Sequence, residues 1–112
     1  MPDNLGIFMK EQTKLHLAAL QKVMQELELW QSMPPAESAF LSNEPFSVDT
    51  MSANEWLQWV FIPRMYALLE SDLPLPAKIA IVPYIEEALK ELDDLPRLLQ
   101  PISEIEKLCQ QQ

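Results

Sequence analysis

One glycine, Gly6, against ten prolines in 112 residues sets the terms on which this chain can fold. Tight hairpin turns rely on residues that tolerate positive φ, glycine first among them, so a chain with one glycine near its end has few ways to reverse a strand. Helices need no glycine, and prolines mark where they stop, start or bend. Pro2 lies at the N-terminus; Pro34, Pro35, Pro45, Pro63, Pro74, Pro76, Pro83, Pro96 and Pro101 cut the remainder into helix-length pieces. The composition, 48% hydrophobic and 22% charged, is that of a folded chain, and 112 residues suit one domain. The expectation is all-α: a small irregular four-helix bundle with proline-kinked helices, spanning 1–112 with residues 1–6 outside its ordered body.

Hydrophobic spacing draws the helices. Leu17, Leu20, Val23, Met24, Leu27 and Trp30 recur every three or four residues and predict an amphipathic first helix from about Ile7 to Gln31. The stretch from Ser32 to Pro45 reads as a loop, with Phe40 and Leu41 pinning it to the core. The second helix has the clearest start. Ser52-Ala53-Asn54-Glu55 fits a capping box, and Met51 and Trp56 flank it as a hydrophobic staple. From there an almost wholly apolar helix runs to about Ser71, with a kink expected where Pro63 cannot donate to the carbonyl of Trp59. After the Leu73-Pro74-Leu75-Pro76 link, Ile79 to about Leu92 reads as a helix broken or kinked at Pro83, with Tyr84, Ile85, Ala88, Leu89 and Leu92 on its buried face. A last helix opens after Asp93-Asp94 with the stripe Leu98, Ile102, Ile105 and Leu108, and Pro101 bends its first turns.

Charge removes several function classes. The formal charge is −9, and residues 44–94 carry ten acids against three bases. Such a body repels phosphate backbones, so no direct nucleic-acid binding is expected, while a basic protein partner is suited to it. A single cysteine, Cys109, forbids an internal disulfide. No run approaches the roughly eighteen apolar residues of a membrane span. The short apolar stretch from Leu5 to Met9 lacks the basic flank of a signal peptide. The expected location is the cytoplasm.

Catalytic constellations are equally thin. His16 is the lone histidine, and Thr13 stands where a di-iron bundle needs glutamate. Glu86 and Glu87 point about a hundred degrees apart on a helix, so they read as a solvated face supported by the Glu86 to Lys90 spacing. No catalytic residue, no metal ligand and no cofactor is assigned. The candidates for ligand or partner binding are Arg64, Trp56, Trp59 and Tyr84; Asp49, Ser52, Glu55 and Pro63 are assigned structural roles. Arg64 interrupts the apolar helix just after Pro63, which predicts an ion pair with Asp49, Glu86 or Glu87, the alternative being a cleft-facing anion or carboxylate site. Of the two tryptophans, one is expected in the core and the other at the surface.

PFSVDTM (Pro45 to Met51), EWLQWVFIPRM (Glu55 to Met65), LPLP (Leu73 to Pro76) and VPYIEEAL (Val82 to Leu89), with Trp30 at the end of the first helix, resemble in order the YqcC-like family of uncharacterised bacterial helical proteins. The resemblance extends from about Leu15 onward, and the succession exceeds what helical periodicity demands. It implies a helical bundle, often encoded beside an enzyme that makes pseudouridine in transfer RNA, and no assigned catalytic residue. The function expected is that of a protein-interaction partner or adaptor for another cytoplasmic protein, an RNA-modifying enzyme by context. The alternative is a binder of a small apolar or anionic ligand between the second and third helices, near Arg64, Tyr84 and Pro63.

Overall fold

The first helix spans Asn4–Glu26 in a computed structural model that describes residues 4–71, 73–77 and 79–110. Its buried stripe is Met9, Thr13, Leu17, Leu20 and Met24, at helical spacing, and Val23, Leu27 and Trp30 pack beside it half-buried. Thr13 lies in this apolar stripe with its hydroxyl satisfied, donating to the Met9 carbonyl at 2.7 Å. The helix stops short of the expected Gln31, and the cause is local. Glu28 takes a left-handed conformation, φ 61°, and the chain closes in a Schellman pattern with Leu29 N–H on Met24 O at 2.8 Å and Glu28 N–H on Gln25 O at 3.2 Å. Trp30 therefore lies beyond the helix it was expected to close.

The last helix, Leu95–Gln110, presents Leu98, Pro101, Ile102, Ile105, Leu108 and Cys109 to the core. It forms the most extensive helix-helix contact in the molecule, against the first helix. Arg97 closes the edge of this pair with an ion pair to Glu26. Pro101 sits inside the helix without ending it.

The second helix occupies 53–69 in three stretches: an α-turn Ala53–Trp56, a π turn Leu57–Phe61 and an α-helix Ile62–Leu69. Pro63 offers no amide to the carbonyl behind it. The ladder accommodates that loss by widening one turn ahead of the proline, where Ile62 N–H reaches back to Leu57 O. Lys10 from the first helix donates to Ser71 O at 3.1 Å just past its end.

The third helix is Val82–Ala88, shorter at both ends than the sequence indicates. Pro83 falls in its first turn, where a missing amide costs nothing and a fixed φ helps, so the proline starts the helix and does not break it. Its first amides are met from another element: Val82 N–H donates to Glu106 Oε2 at 3.1 Å, and Ile81 N–H donates to the same oxygen. Between the first and second helices the chain makes two short 3-10 turns: Glu37–Leu41, inside the stretch from Ser32 to Pro45 where a plain loop was expected, and Pro45–Ser47 at its end. No helix among the described residues is long and apolar enough to cross a membrane.

Candidate functional site

The start of the second helix fixes one wall of the surface that carries the candidate residues. Ser52 Oγ accepts from Glu55 N–H at 3.4 Å and Glu55 Oε1 accepts from Ser52 N–H at 2.9 Å, so the capping box is complete. The bond from the Ser52 amide holds the Glu55 carboxyl below its ordinary value. Met51 and Trp56 both enter the core on either side of it. The preceding loop is tied down by Thr50, whose hydroxyl donates to Ala39 O at 2.7 Å, and by Asp49, which accepts from the Ser42 hydroxyl.

One turn later, three side chains clasp the segment that leaves the first helix. Asn54 Nδ2 donates to Leu29 O at 3.0 Å. Buried Gln58 accepts from Gln31 N–H at 2.7 Å and donates to Gln31 O at 2.8 Å, so its amide acts as a short strand would. Trp59 Nε1 donates to Gln31 Oε1 at 3.2 Å. This bonding gives the EWLQW motif a structural meaning, since Gln58 would otherwise bury an unmet amide.

The opposite wall is aromatic. Phe46 stacks on Tyr84 with centroids 4.2 Å apart and planes 7° apart. It meets Trp56 edge-on at 4.9 Å, and Trp56 in turn stacks on Phe61 at 5.7 Å. Phe46 and Ser47 hold this geometry with left-handed backbones, φ 58° and 49°, an uncommon pair for non-glycine residues. Burial pushes the Tyr84 phenol above its ordinary value.

Three open clefts flank these walls. The first, about 540 Å³, is bounded by Phe40, Ser42, Glu44, Phe46, Trp56, Trp59, Val60 and Arg64 among others. The second, about 410 Å³ and largely apolar, runs between Phe46, Trp56, Phe61, Arg64, Met65, Leu68, Pro76 and the 79–81 segment. The third, about 600 Å³, lies over Trp30, Gln31, Gln58, Trp59, Pro63 and Tyr66.

The sequence candidates distribute themselves unevenly over this surface. Trp56 is 8% exposed and is a core residue with one edge on two clefts. Trp59 is half-buried and borders two clefts, so it is the more exposed of the two. Pro63 borders only the third cleft, and Tyr84 borders none of the three, so Arg64, Tyr84 and Pro63 do not share one of these cavities. The ion pair expected for Arg64 is absent: among the described residues its exposed guanidinium has no carboxylate partner. Asp49 is taken by Ser42, and Glu87 by Lys90 at 3.2 Å, which also displaces the expected Glu86 to Lys90 pairing. The helix turns Arg64 to solvent, where hydration meets the charge and no buried partner is needed.

Sequence reasoning missed Phe46, Gln58, Gln31 and Glu106. Nothing local marks Phe46, because its ring partners, Trp56 and Tyr84, belong to other elements. Gln58 had a signal: a polar residue between Leu57 and Phe61 in an apolar helix requires a partner. His16 is half-buried on the first helix, and Cys109 lies buried in the last. Burial, and then the charge of Glu106, push the Cys109 thiol up to about 11, which leaves it a poor nucleophile. Among the described residues no group of three or more His, Cys, Asp or Glu side chains could hold a metal ion.

The model of the DUF446 family, described as tRNA pseudouridine synthase C, matches residues 12–108. A protein of Haemophilus influenzae described as uncharacterized is 67% identical over 100 residues, which cover 89% of this chain and 94% of that one. The Escherichia coli protein YqcC is 42% identical over 98 residues, 88% of each chain. Its solution NMR structure superposes with a TM-score of 0.81 at 36% identity, over 91% of this chain and 88% of that one. A tRNA pseudouridine synthase C of Pectobacterium carotovorum is 52% identical over 67 residues, which are 60% of this chain and 18% of that protein.

Proposed function

Since the chain belongs to the YqcC-like DUF446 family, we propose that it acts by binding another protein, as a non-catalytic partner or adaptor of a tRNA pseudouridine synthase. One observation carries this reading: a polypeptide named tRNA pseudouridine synthase C contains a segment 52% identical to 67 residues of this chain, and that segment is only 18% of its length. Two units that share one polypeptide in one organism meet at high effective concentration there, and separate chains need an interface to achieve the same.

Surface chemistry supports the reading. Trp59 and Arg64, with half-exposed Phe40, surround the first cleft, and exposed Trp and Arg are enriched at the centres of protein interfaces. The −9 charge suits an enzyme whose polyanionic substrate requires a cationic surface, and it disfavours direct contact with the RNA. This reading assigns the protein to the cytoplasm. A second reading, an apolar or anionic small ligand, is favoured by the apolar lining of the 410 Å³ groove, a volume within the usual range for ligand sites.

Isothermal titration of the full chain into the tRNA pseudouridine synthase C of the same organism tests the proposal. A saturable complex with Kd at or below about 10 μM is expected. The absence of both heat and co-elution at about 100 μM overturns it.

A further inference from the structure

Phe46, Trp56 and Arg64 border both the first and the second cleft, which adjoin at these residues as two arms. One arm is apolar, walled by Phe61, Met65 and Leu68; the other passes Trp59 and Phe40 and is more polar, bordered also by Ser42, Glu44 and Ser47. At the junction stands a guanidinium that, among the described residues, has no carboxylate of its own. It is the only charged side chain among the described residues of the apolar arm. In a chain of net charge −9 an unpaired cation at the edge of an apolar groove is complementary to one kind of visitor.

We infer that the two arms together act as one trough for an extended segment of the partner protein in which one Asp or Glu has apolar residues on one side and polar residues on the other. The carboxylate meets Arg64 in a forked, charge-assisted pair, the apolar side chains enter the apolar arm, and the polar side of the segment crosses the other. A compact ligand would fill one arm and leave the other open to water, whereas a chain segment spans the junction. The apolar arm supplies burial, and Arg64 fixes register, because a segment shifted by one residue sets an apolar side chain against the guanidinium. This inference rests on the proposed partner reading and narrows it to one face and one recognition chemistry.

The test compares the wild-type chain, Arg64→Lys, Arg64→Glu and Lys107→Glu for affinity to the synthase, with unfolding curves confirming that each variant is folded. Lys107 is exposed on the last helix and borders none of the three clefts, so its variant controls for net charge. Arg64→Glu is expected to weaken binding by about tenfold or more, Arg64→Lys by about threefold, and Lys107→Glu by less than about twofold. Reversing the matching acid on the synthase should restore binding to Arg64→Glu. A complex indifferent to Arg64→Glu overturns the trough and leaves the partner reading standing, whereas no complex with any variant removes the partner reading itself. Octanoate, followed by amide chemical shifts of the full chain, separates the remaining outcomes. Competition between octanoate and the synthase for the wild type supports the trough, and saturable octanoate binding without synthase binding overturns it in favour of a small-molecule site. Concentration-dependent dimerisation lost in Arg64→Glu also overturns it, in favour of a second copy of the chain.

Discussion

The seam between the first and last helices and the aromatic corner around Phe46 solve the burial problem in opposite ways. In the seam, Leu17, Leu20, Leu98, Ile102 and Ile105 are fully buried at helical spacing, and the one buried hydroxyl, on Thr13, is satisfied within its own helix. In the corner, left-handed residues, a π turn and side-chain bonds to distant backbone hold buried and half-buried rings beside open clefts. The seam stores stability in contacts that periodicity alone arranges. The corner spends some stability on shape, which is where a recognition surface is expected.

Four experiments can break or sharpen that contrast. The largest effect should come from the seam: Leu20→Ala is expected to cost about 2–5 kcal/mol in urea unfolding, since it empties a fully buried site. Trp59→Ala should cost much less while impairing partner binding; equal losses of stability would erase the distinction. Next, Gln58→Leu should cost about 1–3 kcal/mol by leaving the Gln31 amide and carbonyl unmet, and amide exchange at Gln31 should accelerate. Unchanged exchange there would mean that the clasp does not hold the segment.

The third experiment uses pH to address the two regions separately. Glu55 in the corner has its carboxyl held below the ordinary 4.5, so its contribution is complete above that pH and disappears as pH falls through the lowered value. Cys109 in the seam runs the other way. Its thiol is pushed from 9.0 to about 11, so its contribution is intact below pH 9 and is lost as pH rises toward 11. Glu55→Gln should flatten the acid limb of the stability profile, and Cys109→Ala the alkaline limb. The smallest effect is a gain: Glu28→Gly should stabilise by about 0.5–1 kcal/mol by relieving a left-handed glutamate outside both regions, with partner affinity unchanged.

The same division governs what could be read from the residues alone. The stripe Leu98, Ile102, Ile105 and Leu108 and the Ser52 to Glu55 capping box are local patterns, and both are present as read. The ends of the first and third helices were misjudged because Glu28 substitutes for the glycine that usually marks a Schellman end, and because Pro83 is a starter or a breaker according to where the helix begins. The disturbance at Pro63 was legible, but its form as a π turn was not, since that depends on which carbonyls the rest of the fold can satisfy. Arg64 was legible as unusual. Its lack of a partner was not, because pairing depends on which way a π turn rotates the helix and on which acids are already engaged. Phe46 and Glu106 were invisible for a common reason: their partners, Tyr84 and the amides of Ile81 and Val82, are distant in sequence.

The reach of Glu106 to the third helix bears on the order in which the molecule assembles. A helix of seven residues is too short to persist by itself in water, and the group that occupies its first amides belongs to the last helix. The third helix therefore has no stable existence before the last helix has formed and docked. It belongs to the late side of the folding barrier, so mutations within it should hasten unfolding and leave the folding rate almost untouched.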